Sequence, residues 1–166
     1  MNKALNKKLS KSFIFVLILF SLFIYSFSLN SNTSKITSYK VQLEKVIDGD
    51  SVYFKKGKEK IEVRLIYIDT PEYNEYYGKE AKEFTNTKLK EAKSIILKLN
   101  KKGNKYDKYN RLLAWVFVDD KLLQEQLVVN GYVKKFYDYG YSYDYKSNLI
   151  KALKIAKHNK VGLYAK

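Results

Sequence analysis

Residues 41–65, VQLEKVIDGDSVYFKKGKEKIEVRL, contain three short strands and two turns. Val41, Leu43 and Ile47 share a two-residue phase, and Asp48-Gly49-Asp50 supplies a turn ahead of Ser51-Val52-Tyr53-Phe54, so the two runs form a hairpin. A second turn runs from Lys55 to Lys60 around Gly57, after which Ile61, Val63 and Leu65 alternate with Glu62 and Arg64. Arg64 therefore points away from the face that bears Val63. Asp69-Thr70-Pro71-Glu72 ends this region, because proline removes a ladder donor and restricts the residue before it.

Outward from that core stretch the chain alternates strands with helices. Ala81, Phe84, Thr85, Lys88, Leu89 and Ala92 fall at helical spacing after Gly78. Ile95, Leu97 and Leu99 alternate again, and Leu112 to Val118 is a mostly apolar run suited to a buried strand. Leu123 to Asn130 fits a short helix stopped by Gly131, and Leu149, Ala152, Leu153 and Ala156 mark a terminal amphipathic helix. Five short strands with one helix before the fourth and two after the fifth predict an α+β domain. Its expected form is a five-stranded β-barrel of the OB type with three helices, a fold whose face commonly binds oligonucleotides. Fold alone does not assign function.

The first 40 residues differ from the rest. They carry six lysines and no acid, whereas residues 41–166 carry 26 basic and 17 acidic side chains. Lys3, Lys7, Lys8 and Lys11 precede an apolar stretch from Phe13 to Leu29, the pattern of an export signal, with Ser26 and Ser28 offering a small-x-small cleavage site. The apolar run also lies at the lower edge of what a spanning helix needs, so residues 1–29 are read as a signal peptide or a membrane anchor. Residues 30–40 then read as a solvated linker and 41–166 as the folded domain. The domain is placed outside the cytoplasm, secreted or anchored to the outer side of the cytoplasmic membrane. With no cysteine, disulfide bonding and a lipid-attached cysteine are excluded. The excess of positive charge favours polyanionic partners, or is simply a soluble surface.

Only two of the 32 basic residues are arginines, Arg64 and Arg111. Arginine presents a planar fork that grips phosphate or carboxylate bidentately, where lysine offers a mobile point charge. The pair reads either as an anion-gripping site or as two structural ion pairs. Asp50 and Asp69 sit in turns and are hard oxygen donors, and Thr70 adds a hydroxyl and a carbonyl, which makes a calcium-type site plausible. The competing reading makes each aspartate a turn-former capping its own backbone. Glu72 either orients or deprotonates a water, or sits in solvent. A single histidine, His158, in a lysine-rich helix end leaves no serine-histidine triad and no histidine-rich zinc site. Carboxylates, a metal and arginines are what remain. Phosphodiester hydrolysis demands more than the roughly 10²- to 10⁴-fold that one general base supplies, which a cation and two guanidinium forks would provide electrostatically.

Three segments carry a resemblance: Val46-Ile47-Asp48-Gly49-Asp50-Ser51-Val52, Arg64-Leu65-Ile66-Tyr67-Ile68-Asp69-Thr70-Pro71-Glu72, and Asp107-Lys108-Tyr109-Asn110-Arg111-Leu112-Leu113-Ala114. In order and spacing they resemble the staphylococcal-nuclease-like family, and the likeness extends from Val41 to Tyr164. It implies a Ca²⁺-dependent OB-fold nuclease that cleaves DNA and RNA on the 5′-oxygen side of the phosphodiester, leaving 3′-phosphates, and acts as a monomer. It further implies that Asp50 and Asp69 are carboxylate ligands of Ca²⁺ and that Thr70 adds its main-chain carbonyl. Glu72 matches the proposed general base. Arg64 and Arg111 match the arginines that bind the scissile phosphate, with Arg111 beside the departing 5′-oxygen. Asp48 matches a carboxylate that supports the metal ligands rather than binding directly. Lys108, Tyr109, Tyr137 and Tyr139 match positions that line the nucleotide pocket.

Tyr137, Tyr139, Tyr141, Tyr143 and Tyr145 follow Lys134-Lys135 at alternate positions, which suits base stacking or packing of a loop against the barrel. Two features depart from the family pattern. The segment Tyr73 to Tyr77 replaces a longer lysine-bearing loop, and Asn110 stands where glycine is usual, a mild change because asparagine tolerates positive φ. Two rival functions stay open: a non-catalytic nucleic-acid-binding barrel, and a basic cell-surface protein that binds lipid or wall polymers.

Overall fold

A computed structural model describes residues 13–21 and 38–165. Residues 13–21 form a helix, α1, with exposed side chains. No helix among the described residues is long and apolar enough to cross a membrane. The rest of the signal or anchor segment, and residues 30–37 of the expected linker, lie outside the described residues. The folded domain is described from residue 38 to residue 165.

Its first strand, β1 (Ser38–Val46), starts ahead of Val41 and pairs with β2 (Ser51–Lys56), which pairs with β3 (Glu59–Leu65), all antiparallel. The amino-terminal half of β1 pairs instead with β5 (Ile95–Lys98), and β5 pairs with β6 (Leu112–Val118), again antiparallel. A parallel pairing of β3 with β6, Arg64 opposite Leu113, closes the ring. The five-stranded barrel and three domain helices expected from the sequence are present. An irregularity between Leu43 and Lys45 lets β1 curl from one partner to the other, as closure of a small barrel requires.

Two short pairings were not legible from periodicity. β4 (Ile68–Asp69) pairs with β8 (Lys135–Phe136), and β7 (Lys121–Leu122) extends β6. Strands of two residues carry no period to detect.

The barrel interior is filled by Val52, Phe54, Val63, Leu97 and Trp115, all fully buried. Trp115 satisfies its indole N–H on Asn100 Oδ1 at 3.0 Å. Helix α2 (Gly78–Lys90) buries Ala81, Thr85 and Leu89, α3 (Leu123–Val129) buries Leu123, Leu127 and Val128, and α4 (Lys146–His158) buries Leu149, Ala152 and Ala156. Gln124 is also buried. It ties α3 to β6, its Oε1 accepting from Val116 N–H at 3.1 Å and its Nε2 donating to Ala114 O at 2.9 Å.

Of the tyrosine run, Tyr143 and Tyr145 pack. Tyr143 is buried against Tyr67, and Tyr145 meets Trp115 and Phe117 edge-on. Tyr141 covers Gly103, where a Cβ would come within 2.7 Å of its ring.

Replacing Gln124 with leucine keeps the volume but removes the acceptor for Val116 N–H. The expected loss is about 2 kcal/mol of unfolding free energy, read as a lower denaturant midpoint with an unchanged slope.

Candidate active site

The turn Asp48–Asp50 is built by its own side chains and clamped from outside. Asp50 N–H donates to Asp48 Oδ1 at 3.0 Å, a local turn that leaves the Asp50 carboxylate directed inward. The Thr85 hydroxyl of α2 donates to Gly49 O at 2.7 Å. Gly49 lies so close to Thr70 that a Cβ there would come within 2.7 Å of the Thr70 hydroxyl oxygen. Only glycine admits that approach.

The second aspartate follows the carboxyl end of β3, the end beside which Asp50 lies. Tyr67 takes a left-handed backbone, φ 76°, and its buried ring stacks on Phe136 at 5.1 Å, which turns the chain into β4. Strain of that kind persists only where surrounding packing over-determines it. Asp69, opposite Lys135 in the two-stranded sheet, is thereby delivered beside Asp50. The Thr70 N–H donates to Asp50 Oδ2 at 2.6 Å, joining the two turns directly.

Arg64 holds this pair together. Its two terminal nitrogens reach Asp50 Oδ2 at 2.8 Å and Asp69 Oδ1 at 3.0 Å, and the same guanidinium donates to the carbonyls of Leu65 and Ile68 at 3.2 and 2.9 Å. The structural ion-pair reading of Arg64 is therefore realised, with partners that are themselves candidate metal ligands.

Arg111 is held differently. Asp107 accepts from its Nε at 2.7 Å and from its main-chain N–H at 2.9 Å, while Asn110, with φ 63°, forms the left-handed turn before it. One terminal nitrogen of Arg111 contacts Ser51 Oγ at 3.4 Å, and Ser51 in turn donates to Asp50 Oδ1 at 3.2 Å. Ser51 thus links the second arginine to the first aspartate. No hydrogen bond among the described residues engages the other terminal nitrogen, which leaves a donor for a ligand.

Burial at this site is severe. Asp50 is 3% exposed and Asp69 8%. Burial raises the Asp50 pKa to about 7, overcoming the Arg64 guanidinium and the Thr70 N–H, with the Asp48 carboxylate adding to the rise. Burial also works against ionisation of Asp107, but the donors of Arg111 and Tyr109 outweigh it and hold that carboxyl below its usual range. The Thr70 hydroxyl is buried without a hydrogen-bond partner.

Glu72 follows Pro71 on an exposed loop, and no ion pair among the described residues engages its carboxylate. Its N–H donates to Glu75 Oε2 at 2.7 Å. Tyr109 is 68% exposed, with Lys108 Nζ 4.9 Å and the Arg111 guanidinium carbon 5.4 Å from its ring centroid. Tyr137 and Tyr139 are parallel, centroids 6.0 Å apart, and Lys135 Nζ sits 4.7 Å from the Tyr137 ring. Tyr109 and Tyr137 are thus each accompanied by cations.

The contacts of four further residues were not foreseen from the sequence, which placed Lys134-Lys135 beside the tyrosine run and not at Asp69. Lys134 and Lys135 reach Asp69 Oδ2 at 3.6 and 3.9 Å, Glu75 binds Lys134 at 2.7 Å, and Asp107 anchors Arg111. Asp107, four residues before Arg111 in a turn, was a detectable signal. Lys134 and Lys135 depend on the β4–β8 pairing and left none.

Comparison with known proteins gives the same assignment. Residues 62–166 match the family profile described as Staphylococcal nuclease homologue. The chain is 30% identical to an uncharacterized protein of Methanocaldococcus jannaschii over 84% of this chain and 79% of that one. It is 32% identical to Endonuclease YncB of Bacillus subtilis, covering 82% of this chain and 66% of the relative. With the thermonuclease of Staphylococcus hyicus the identity is 36%, over 68% of each chain. The chain therefore belongs to the staphylococcal nuclease homologue family and is a hydrolase of its nuclease class.

Proposed function

We propose that this chain is an exported Ca²⁺-dependent nuclease that hydrolyses phosphodiester bonds of DNA and RNA and leaves 3′-phosphate ends. The observation that carries the reading is the meeting of Asp50, Asp69, Arg64 and Arg111, which come from three separate segments and converge through Ser51 and Thr70. A non-catalytic binding barrel has no need to bury two carboxylates side by side at one rim. The lysine-led apolar leader supports export.

The donor set suits a hard cation. Among the described residues no three acidic, histidine or cysteine side chains converge. A cation here would be held by Asp50, Asp69 and the Thr70 carbonyl, with water completing a shell of the six to eight oxygens that Ca²⁺ takes. When bound, it supplies Lewis-acid polarisation of the phosphoryl group. The protein's own residues do the rest. Glu72 takes the proton of the attacking water, whose oxygen bonds to phosphorus. Arg64 and Arg111 hold the non-bridging oxygens as charge builds on them, Arg64 exchanging a carboxylate partner for phosphate. The bond from phosphorus to the 5′-oxygen breaks, Arg111 stabilises the departing oxygen, and the phosphate stays on the 3′ side. Tyr109, Tyr137 and Tyr139, with Lys108, offer rings and charge to the flanking nucleotide.

The purified protein should degrade DNA and RNA with millimolar Ca²⁺, and EGTA should abolish the activity. Arg64→Lys or Arg111→Lys should each lower turnover at least ~10²-fold with the fold intact by circular dichroism. Rates equal to wild type would refute the assignment.

Acid should weaken cation binding, because a proton on Asp50 competes for the same oxygens below its pKa of about 7. Without cation the linkage has the opposite consequence for stability. The folded state keeps the Asp50 proton at pH values where the unfolded chain, with its pKa at 3.8, has released it, so stability falls as pH rises between 3.8 and about 7. Asp50→Asn should flatten this decline in EGTA, which denaturant midpoints measured across that range would show.

A further inference from the structure

The short loop after Pro71 is wound into two consecutive turns, Glu75 N–H donating to Glu72 O at 2.8 Å and Gly78 N–H to Glu75 O at 2.9 Å. Gly78 permits the winding, since a Cβ there would come within 1.8 Å of Glu72 O. Tyr77 completes it with a left-handed backbone, φ 65°. The loop therefore has little freedom of its own, and a side chain from within it fixes its outer end. Glu75 Oε2 accepts from the Glu72 N–H at 2.7 Å and from Lys134 Nζ at 2.7 Å. Lys134 Nζ also lies 3.6 Å from Asp69 Oδ2.

We propose that Glu75 and Lys134 form a latch that positions Glu72 against Asp69, one carboxylate gripping the Glu72 main chain and one ammonium bridging that carboxylate to Asp69. Both are positioning residues, and the proposal rests on the assignment of Glu72 as the base. Three observations point the same way. Lys134 is anchored in the segment leading into β8, where its N–H donates to Asp69 O at 2.8 Å, so its head approaches Asp69 from a fixed backbone. Glu75 serves two donors with one oxygen, which ties the loop and the β8 segment to a single point. The Glu72 side chain, by contrast, makes no ion pair of its own among the described residues, so its placement depends on the main chain that Glu75 holds.

The physical expectation is a loss in turnover more than in binding. A base displaced by about 1 Å can cost ~10²-fold in rate while substrate contacts elsewhere are kept. The latch is exposed on one side, so a tenfold effect is the expected scale. Lys134 has a second effect, because a cation beside Asp69 repels any other cation that approaches the same oxygen.

The test uses the full chain in four variants: Glu75→Ala, Lys134→Met, the double variant, and Lys134→Arg. With a single-stranded DNA oligomer and millimolar Ca²⁺, each single loss should lower kcat about tenfold and leave KM within about twofold. The double variant should be no slower than the slower single, since the two act as one unit, and Lys134→Arg should restore most of kcat. Two further measurements do not involve activity. Exchange of the Glu72 amide hydrogen should quicken at least about tenfold in Glu75→Ala, and Ca²⁺ should bind Lys134→Met about two- to fivefold more tightly by calorimetry. Unchanged kcat in an active background, multiplied losses in the double variant, or unchanged Glu72 exchange would each overturn the latch. A wild type without nuclease activity would instead sink the proposed function, and Glu72 exchange would still judge the latch contact.

Discussion

The guanidinium of Arg64, shared between two buried carboxylates, is the contact on which the site depends. Asp50 and Asp69 approach each other at 3% and 8% exposure, where two ionised carboxylates repel and neither is well solvated. One planar cation bridges the pair, offsetting part of their repulsion, and also takes up two main-chain carbonyls that the bend at Leu65–Ile68 exposes. Lysine has a single point of attachment and cannot span these four partners. Removing the guanidinium would leave uncompensated charge in the interior, a loss of about 3–5 kcal/mol where it has been measured for buried pairs.

Barrel closure is what makes that contact possible. The parallel pairing of β3 with β6 sets Arg64 beside the segment that begins after Arg111, and the β2–β3 register sets Ser51 opposite Arg64. Three chain segments thus present their polar ends at one rim while Val52, Val63 and Leu65 fill the interior behind them. Helix α2 contributes from outside, where the Thr85 hydroxyl holds the Gly49 carbonyl and keeps the first turn from relaxing outward. A site assembled at strand ends on a packed barrel is rigid where it must carry charge. Its exposed parts are the Glu72 loop and the rings of Tyr109 and Tyr139.

Much of this was legible from residue pattern. Alternation over Val41–Leu65 and the apolar run Leu112–Val118 identify barrel strands because a half-buried strand enforces a two-residue period. The scarcity of arginine marked both guanidinium positions, and the structure pairs each with a carboxylate, Arg64 with Asp50 and Asp69, and Arg111 with Asp107. The turn-capping role considered for Asp50 belongs instead to Asp48, whose Oδ1 accepts from the Asp50 N–H, while the Asp50 carboxylate faces Arg64 and Thr70. The two-residue strands β4 and β8 were not legible, and with them went Lys134 and Lys135 beside Asp69. Those neighbours are set by tertiary pairing rather than local preference. Tyr143 and Tyr145 illustrate the same limit, because only packing distinguishes a stacking platform from a buried loop anchor.

The claim that unites these contacts is that two arginines and two aspartates serve one phosphodiester cleavage of defined polarity. The most direct measurement is a digest of a defined DNA strand with and without Ca²⁺, followed by identification of the phosphate at the new ends. The account requires Ca²⁺-dependent products carrying 3′-phosphates. Products carrying 5′-phosphates, or undiminished cleavage in EGTA, would contradict it.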